Sequence, residues 1–538
     1  MPDAQGTSRK KTRGALRAAR KNGAVPQFWK RGMTICIHTP EGPVVESPHA
    51  EGDSLARAIW FSPGLRPPAL CSGLGRCGRC RVRFLSPPPQ PSDAERQTLS
   101  PDELAGNIRL ACRHPAAPGM EVRLFPVAAP VRRLLRPDAG ELLLAVDLGT
   151  TSLQWRALER SGAVVAEGRE LNPQMGAGSE VMSRLAAAAA PPGRARLAGL
   201  VRSALAELVR DLPGKTVECC IAANPAMTAI LLERDLEGLS RAPYCLAYSG
   251  GRAERVAGLP PLWIPPQLAP FVGGDISAGA AFALARLRPE YPFLLADLGT
   301  NGEFLLALGP DDNLAASVPL GPALEGIGLR HGNVAEEGAV DAFSLGPAGL
   351  RLSVIGGGEA RSVCATGYLS LIRILLQHGL LGVEGVFRRE GRTPLAAALA
   401  GRIRETADGL AFPLTDRMDL DARDVEAVLA VKAAFSLTLE RLLAHAGIGS
   451  ARLRHIFVAG ALGSHVKAED LEALGFFPPG LGPRLRPLGN SSLAGAELFL
   501  REPAWREKIV RWARNCRVPD LAAEGDFQTA YLRHMRFA

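Results

Sequence analysis

The chain has 538 residues, of which 47% are hydrophobic and 22% charged, with a formal net charge of +9. Such a length suits three or so domains with separate cores, and no apolar run approaches the roughly 20 residues that cross a bilayer, so no membrane association is expected. The charge is uneven: residues 1–31 hold nine basic side chains against the single acid Asp3, and the remainder is near neutral.

In chain order, residues 1–32 read as a basic, solvated and disordered tail. A basic arm can bind nucleic acid, but no aromatic–basic interleaving accompanies this one, and no nucleic-acid partner is expected. The N-terminus lacks the apolar core of a signal peptide. Six scattered cysteines (Cys36, Cys219, Cys220, Cys245, Cys364, Cys516) show no paired spacing. They read as reduced thiols, which places the protein in the cytoplasm.

Residues 33–125 read as a small β-rich domain, with strand-like runs at 34–38, 81–85, 108–112 and 121–125 and a helical stretch at 54–61. Within it, Cys71, Cys77, Cys80 and Cys112 are separated by five, two and thirty-one residues. This is close to the plant-type [2Fe–2S] spacing, with one extra residue in the first gap. Structural zinc favours two short pairs, whereas this chain has a triplet plus one. Gly73, Gly75 and Gly78 suit a loop that wraps its amides around sulfide. The order of strands, helix and cysteine loop resembles the β-grasp fold of [2Fe–2S] ferredoxins. Residues 126–141, with three prolines, read as a stiff linker that spans about 50 Å when extended.

From Leu142 the pattern becomes α/β, with an internal echo. LLLAVDLGTTSLQW (142–155) and FLLADLGTNGEFLL (293–306) each run from an apolar strand through Asp-Leu-Gly-Thr into a second strand, with Asp147 and Asp297 150 residues apart. Gly149 and Gly299 would let the backbone approach a phosphate. Thr150, Thr151, Thr300, Asn301 and Gly302 would offer hydroxyl and amide donors. Asp147 and Asp297 would hold Mg²⁺ through water. HIFVAGALGSHV (455–466) runs from a strand through Gly460 and Gly463 toward a helix start that can cradle a nucleotide. Together these segments resemble the phosphate and adenosine motifs of the actin/Hsp70/sugar-kinase (ASKHA) superfamily. The expected fold is therefore α+β and multidomain: a β-grasp [2Fe–2S] domain, then a duplicated α/β ASKHA ATPase with lobes at 142–290 and 291–500 and a C-terminal extension at 501–538.

A [2Fe–2S] domain ahead of such an ATPase resembles the reductive activators of corrinoid proteins. IAANPAMTAILL (221–232), PFVGGDISAGA (270–280), ADLGTNGEF (296–304), GPALEGIGLRHG (321–332), VEAVLAVKAAF (425–435) and VAGALGSHV (458–466) carry the resemblance. It implies an ATPase that passes an electron from a low-potential donor, through the cluster, to Co(II) of a partner corrinoid protein in a methyltransferase system. The implied cofactors are a [2Fe–2S] cluster, ATP and Mg²⁺. Asp275, Glu303 and Glu325 are the candidates for the water-activating base. Similar activators often form homodimers, although no interface is visible in the sequence. Two departures stand out: relatives have a longer connection before the first DLGT, and CATGYLSLI (364–372) is a loose version of their Gly/Ser-rich turn. No DxHxxG motif marks a corrinoid site in this chain, so the corrinoid belongs to the partner. The rival readings are an activator of another radical or low-potential enzyme and a small-molecule kinase with a ferredoxin sensor domain.

Overall fold

The computed structural model describes residues 34–40, 42–49, 51–62, 65, 73–75, 78–126, 131–326, 328–346, 349–406, 409–460 and 465–538. The basic tail, Cys71, Cys77 and Gly463 lie outside the described residues. Among those residues no helix is long and apolar enough to cross a membrane.

The first unit is a five-stranded mixed sheet of β1 (Thr34–His38), β2 (Val44–Pro48), β3 (Arg81–Phe84), β4 (Ile108–Leu110) and β5 (Glu121–Leu124), ordered β2-β1-β5-β3-β4. Alternation puts Ile35, Ile37, Val82, Phe84 and Val122 on one buried face. Against that face packs helix α1 (Leu55–Trp60), started by Ser54, whose hydroxyl accepts from the Arg57 amide.

Two larger sheets follow. The first contains β6 (Val131–Leu134), β7 (Glu141–Leu148), β8 (Ser152–Leu158), β9 (Val164–Leu171), β10 (Lys215–Ala222), β11 (Arg252–Glu254) and β12 (Leu262–Ile264), ordered β11-β12-β10-β7-β8-β9-β6. The second contains β13 (Phe293–Leu298), β14 (Asn301–Ala307), β15 (Asn313–Pro319), β16 (His455–Ala459), β17 (Leu485–Gly489) and β18 (Cys516–Arg517), ordered β17-β16-β13-β14-β15-β18. The five strands β12-β10-β7-β8-β9 match β17-β16-β13-β14-β15 in order. Both sets have two parallel pairings followed by two antiparallel ones. The repeated sequence is thus a repeated topology.

Three segments differ from the sequence expectations. Residues 131–134, read as part of a stiff linker, form the edge strand β6, antiparallel to β9 with Val131 opposite Arg169. Arg132 is further tied to Asp211 at 2.9 Å, so a backbone ladder and ion pairing fix a stretch that its flanking prolines had disguised. The helix Ser491–Arg501 (α3), assigned to the second lobe, packs on β7 and β10 of the first and on helix α2 (Gly274–Phe282). The two helices meet at Gly495, where a Cβ would stand 2.0 Å from the Ala278 carbonyl oxygen. The extension at 501–538 is integral to the fold: Ile509 and Trp512 join the core shared by both sheets, and Phe527–His534 packs on helix Ala422–His445.

Candidate functional site

The hairpins β7–β8 and β13–β14 place their turns face to face. In the ladders Asp147 stands opposite Gln154 and Asp297 opposite Glu303. The hydroxyls of Thr151 and Thr300 approach to 3.1 Å across the interface. Between the turns opens a cleft with about 670 Å³ of empty space, the open solvent at its mouth included. Asp147, Gly149, Thr150, Thr151, Asp297, Gly299, Thr300, Asn301 and Gly460 line it, together with Asp275, Glu303 and Glu325. Gly302 does not; it lies behind the turn, against the Leu320 side chain. Gly460 has φ +90°, and a Cβ there would fall 2.4 Å from Asp297 Oδ1, so only glycine brings this turn against the second DLGT.

Carboxylates dominate the electrostatics. Burial, then the Asp147 carboxylate, raises Asp275 to about 7. Burial, then Asp275, pushes Asp297 and Glu303 well above the ordinary carboxylate range. Asp275 and Glu303 line the cleft together, and Glu303 Oε1 is buried with no hydrogen-bond partner among the described residues. Burial also raises Asp147, partly offset by donors from Asn490 at 2.7 Å and Ser492 at 2.9 Å, which occupy both its oxygens. Glu325 accepts the Thr300 hydroxyl at 2.8 Å. The partial positive charge of two helix N-termini also faces this group: Asp275 sits in the first turn of α2, and Asn490 caps α3.

Several groups in or behind the cleft wall escaped the sequence reading. Asn224 caps the helix Pro225–Leu231 and donates to Thr150 Oγ1 at 3.1 Å. Its Asn-Pro start was visible as a helix signal but not as a cleft contact. Asn490 and Ser492 belong to an equally plain cap signature, GNSSLAG. Arg184 carries no local signal. Fully buried, it donates to the Thr150 carbonyl and, at 3.0 Å, to the Gly178 carbonyl. Burial lowers its guanidinium to about 9, against the pull of Glu325. Thr366 and Gly367 of the CATGYLSLI segment lie away from the cleft: Thr366 donates to the Asp341 carbonyl and Gly367 packs on Val340.

In the first unit the antiparallel pair β3–β4 closes the thirty-one-residue gap between Cys80 and Cys112, with the Ala111 amide donating to the Cys80 carbonyl at 2.9 Å. Cys80 is buried and Cys112 half-buried. Gly73, Gly75 and Gly78 all have positive φ. The loop carbonyls are held by Arg113 on Gly73 at 2.9 Å, Thr98 on Gly75 at 2.9 Å and Arg81 on Gly78 at 2.7 Å. Among the described residues no group of three or more His, Cys, Asp or Glu side chains stands ready to hold a metal ion directly.

Comparison with known proteins agrees with this architecture. Residues 142–284 match a family model described as the RACo middle region, and residues 292–538 match one described as the C-terminal domain of RACo, the ASKHA domain. The corrinoid activation enzyme RamQ of Eubacterium limosum is 28% identical over 384 residues, covering 66% of this chain and 64% of the relative. A [Co(II) methylated amine-specific corrinoid protein] reductase of Methanosarcina barkeri is 26% identical over 302 residues, covering 51% of each. The chain thus spans somewhat under two thirds and about half of these relatives. A solved structure titled reductive activator for corrinoid, iron-sulfur protein has the same fold, with TM-score 0.66 and 21% identity over 94% of this chain and 98% of that one. The two family models together account for most of the chain, and the protein belongs to the RACo family.

Proposed function

We propose that the protein is an ATP-dependent reductive activator that takes one electron from a low-potential donor and delivers it to Co(II) of a partner corrinoid protein, regenerating Co(I) for methyl transfer. The observation that carries this reading is the convergence of two DLGT turns and five carboxylates on one cleft, in a chain that also brings Cys80 beside the strand leading to Cys112.

The residues fit the groups the reading requires. A cleft whose acids hold their protons through crowding and burial is short of positive charge, and Mg²⁺ supplies it. Asp147 and Asp297 would hold the ion through water, as hydrated Mg²⁺ prefers, while Thr150, Thr151, Thr300, Asn301 and the glycine amides would hold phosphates. Bound there, Mg–ATP supplies binding and hydrolysis energy, and a [2Fe–2S] cluster on Cys71, Cys77, Cys80 and Cys112 supplies a one-electron relay. Asp275 is the favoured base: it lines the cleft and sits at a helix start facing the turns, whereas Glu325 is engaged by Thr300. Arg113 and Arg81 around the cysteine loop favour the more negative, reduced state of a thiolate-bound cluster.

In this reading residues 33–125 are the ferredoxin-like domain, 142–290 and 291–500 the ASKHA lobes, and 501–538 an extension packed on both. Reducing Co(II) is hardest when an axial ligand holds it. Closing the cleft on nucleotide is the step proposed to favour the ligand-free partner, a population shift linked to nucleotide state. The test is iron and sulfide analysis with EPR of the reduced protein, alongside ATP turnover with and without a Co(II) corrinoid protein. The expected result is two irons per chain and turnover stimulated by the corrinoid protein. Turnover that responds only to a sugar-like acceptor would identify a kinase instead.

A further inference from the structure

The cysteine-bearing unit touches both lobes, and each contact leads by a short packed route to one of the two phosphate turns. On the first lobe, Trp60 at the end of α1 is 3% exposed and lies within that lobe's core. Its ring fills the space over Gly176, where a Cβ would stand 2.0 Å from Trp60 Cδ2. Beside it the Arg196 guanidinium covers the Phe61 ring at 4.3 Å. Gly176 lies in the single turn Met175–Ala177. Arg184 joins the next residue, Gly178, to the Thr150 carbonyl of the first turn.

On the second lobe, Arg79 of the cysteine loop donates to Asn333 Oδ1 and, at 2.8 Å, to Glu336 Oε1. Asn333 packs directly on Gly326, where a Cβ would meet the Asn333 carbonyl oxygen at 1.9 Å. The preceding residue, Glu325, accepts the hydroxyl of Thr300 in the second turn at 2.8 Å.

We propose that the cysteine-bearing unit is a latch bridging the lobes, and that nucleotide in the cleft releases it. The inference rests on the reading of the cleft as a nucleotide site. The Thr300 hydroxyl has one hydrogen to give, and here it goes to Glu325. A phosphate can only accept, so a bound nucleotide takes that hydrogen and sets its own negative charge beside a carboxylate that has lost its donor. Glu325 must then draw back. Because no gap separates Gly326 from Asn333, the movement carries away the group that holds Arg79. Any change in the angle between the lobes acts in the same sense, since one rigid unit cannot keep both contacts. The released unit would be free to carry its cluster to donor or partner, which a unit held on the lobes cannot do.

Linkage makes the latch testable without measuring corrinoid reduction. If nucleotide weakens docking, weakened docking must strengthen nucleotide binding by the same factor. The experiment uses the full-length, cluster-loaded protein with Mg²⁺ and a non-hydrolysable ATP analogue. It measures hydrogen exchange of the segment at 55–61 and the dissociation constant of the analogue. Wild type is expected to exchange roughly tenfold faster at 55–61 when the analogue is bound. Arg79→Ala and Gly176→Ala, which act on opposite lobes, should exchange fast without nucleotide and bind the analogue roughly fivefold to tenfold more tightly. Cluster absorbance serves as the check that each variant is intact. Binding of the analogue with exchange at 55–61 unchanged, or with affinity unaltered in both variants, would overturn the latch alone. Absence of any binding would overturn the nucleotide site and the latch together.

Discussion

Asp275 holds its proton up to about pH 7 because it is enclosed and faces Asp147, and this sets opposite pH trends for folding and for ligand binding. Between the ordinary carboxylate range near pH 4 and pH 7 the folded state binds more protons than the unfolded state. Stability of the ligand-free protein should therefore fall as pH rises through that window. Mg²⁺ favours the ionised form, so Mg–nucleotide affinity should rise over the same interval with release of protons. Asp275→Asn should flatten the stability profile and raise the melting temperature at pH 8, while ATP turnover falls by about 100-fold or more if Asp275 is the base. Differential scanning fluorimetry from pH 5 to 8 and a phosphate-release assay check both. A variant with unchanged turnover would pass the role to Glu303 or Glu325. Arg184 is a second residue-scale test. Arg184→Met strands the Thr150 and Gly178 carbonyls and should cost about 3 kcal/mol, read as a lower melting temperature together with weaker nucleotide binding.

At the scale of elements, the crossing of α2 and α3 aligns the cleft, because Asp275 and the Asn490–Ser492 pair both sit where these helices begin. Gly495→Ala would push a methyl into the Ala278 carbonyl. It should destabilise the protein by about 1–3 kcal/mol and weaken nucleotide binding through displaced helix starts, while the cluster spectrum stays unchanged. The duplicated hairpins were legible in the sequence because each is local: two apolar runs flank a short Gly-Thr turn, and the repeat itself marks the shared role. Asp275 was legible for a similar reason, in a glycine-rich helix start. Arg184, Asn224 and the Asn490–Ser492 pair were not, because their partners lie between 34 and 345 residues away and no periodicity records such contacts. The edge strand β6 was hidden by the prolines on either side, and its register comes from pairing with β9. The cysteine loop was half legible: its spacing offered four candidate ligands for the proposed cluster, whereas the β3–β4 pairing that brings Cys80 beside the turn carrying Cys112 is a long-range contact that no local pattern records.

For the whole molecule, the proposed function is an ATP-gated electron path assembled from parts that are separate in sequence. The cysteine unit rests on both lobes through Trp60 and Arg79, and each resting contact leads back to one of the two DLGT turns. Energy from the cleft would therefore have a physical route to the unit proposed to carry the electron, and the partner's cobalt is the proposed destination. The most direct test is anaerobic formation of Co(I), followed by its absorbance, on mixing the purified protein with a low-potential reductant, a Co(II) corrinoid protein from the same organism and Mg–ATP. The account predicts Co(I) only when ATP and all four cysteines are present, with loss of the signal in Cys112→Ser. Co(I) that forms equally well without ATP, or no Co(I) with any corrinoid protein of the host despite an intact cluster and ATP turnover, would contradict it.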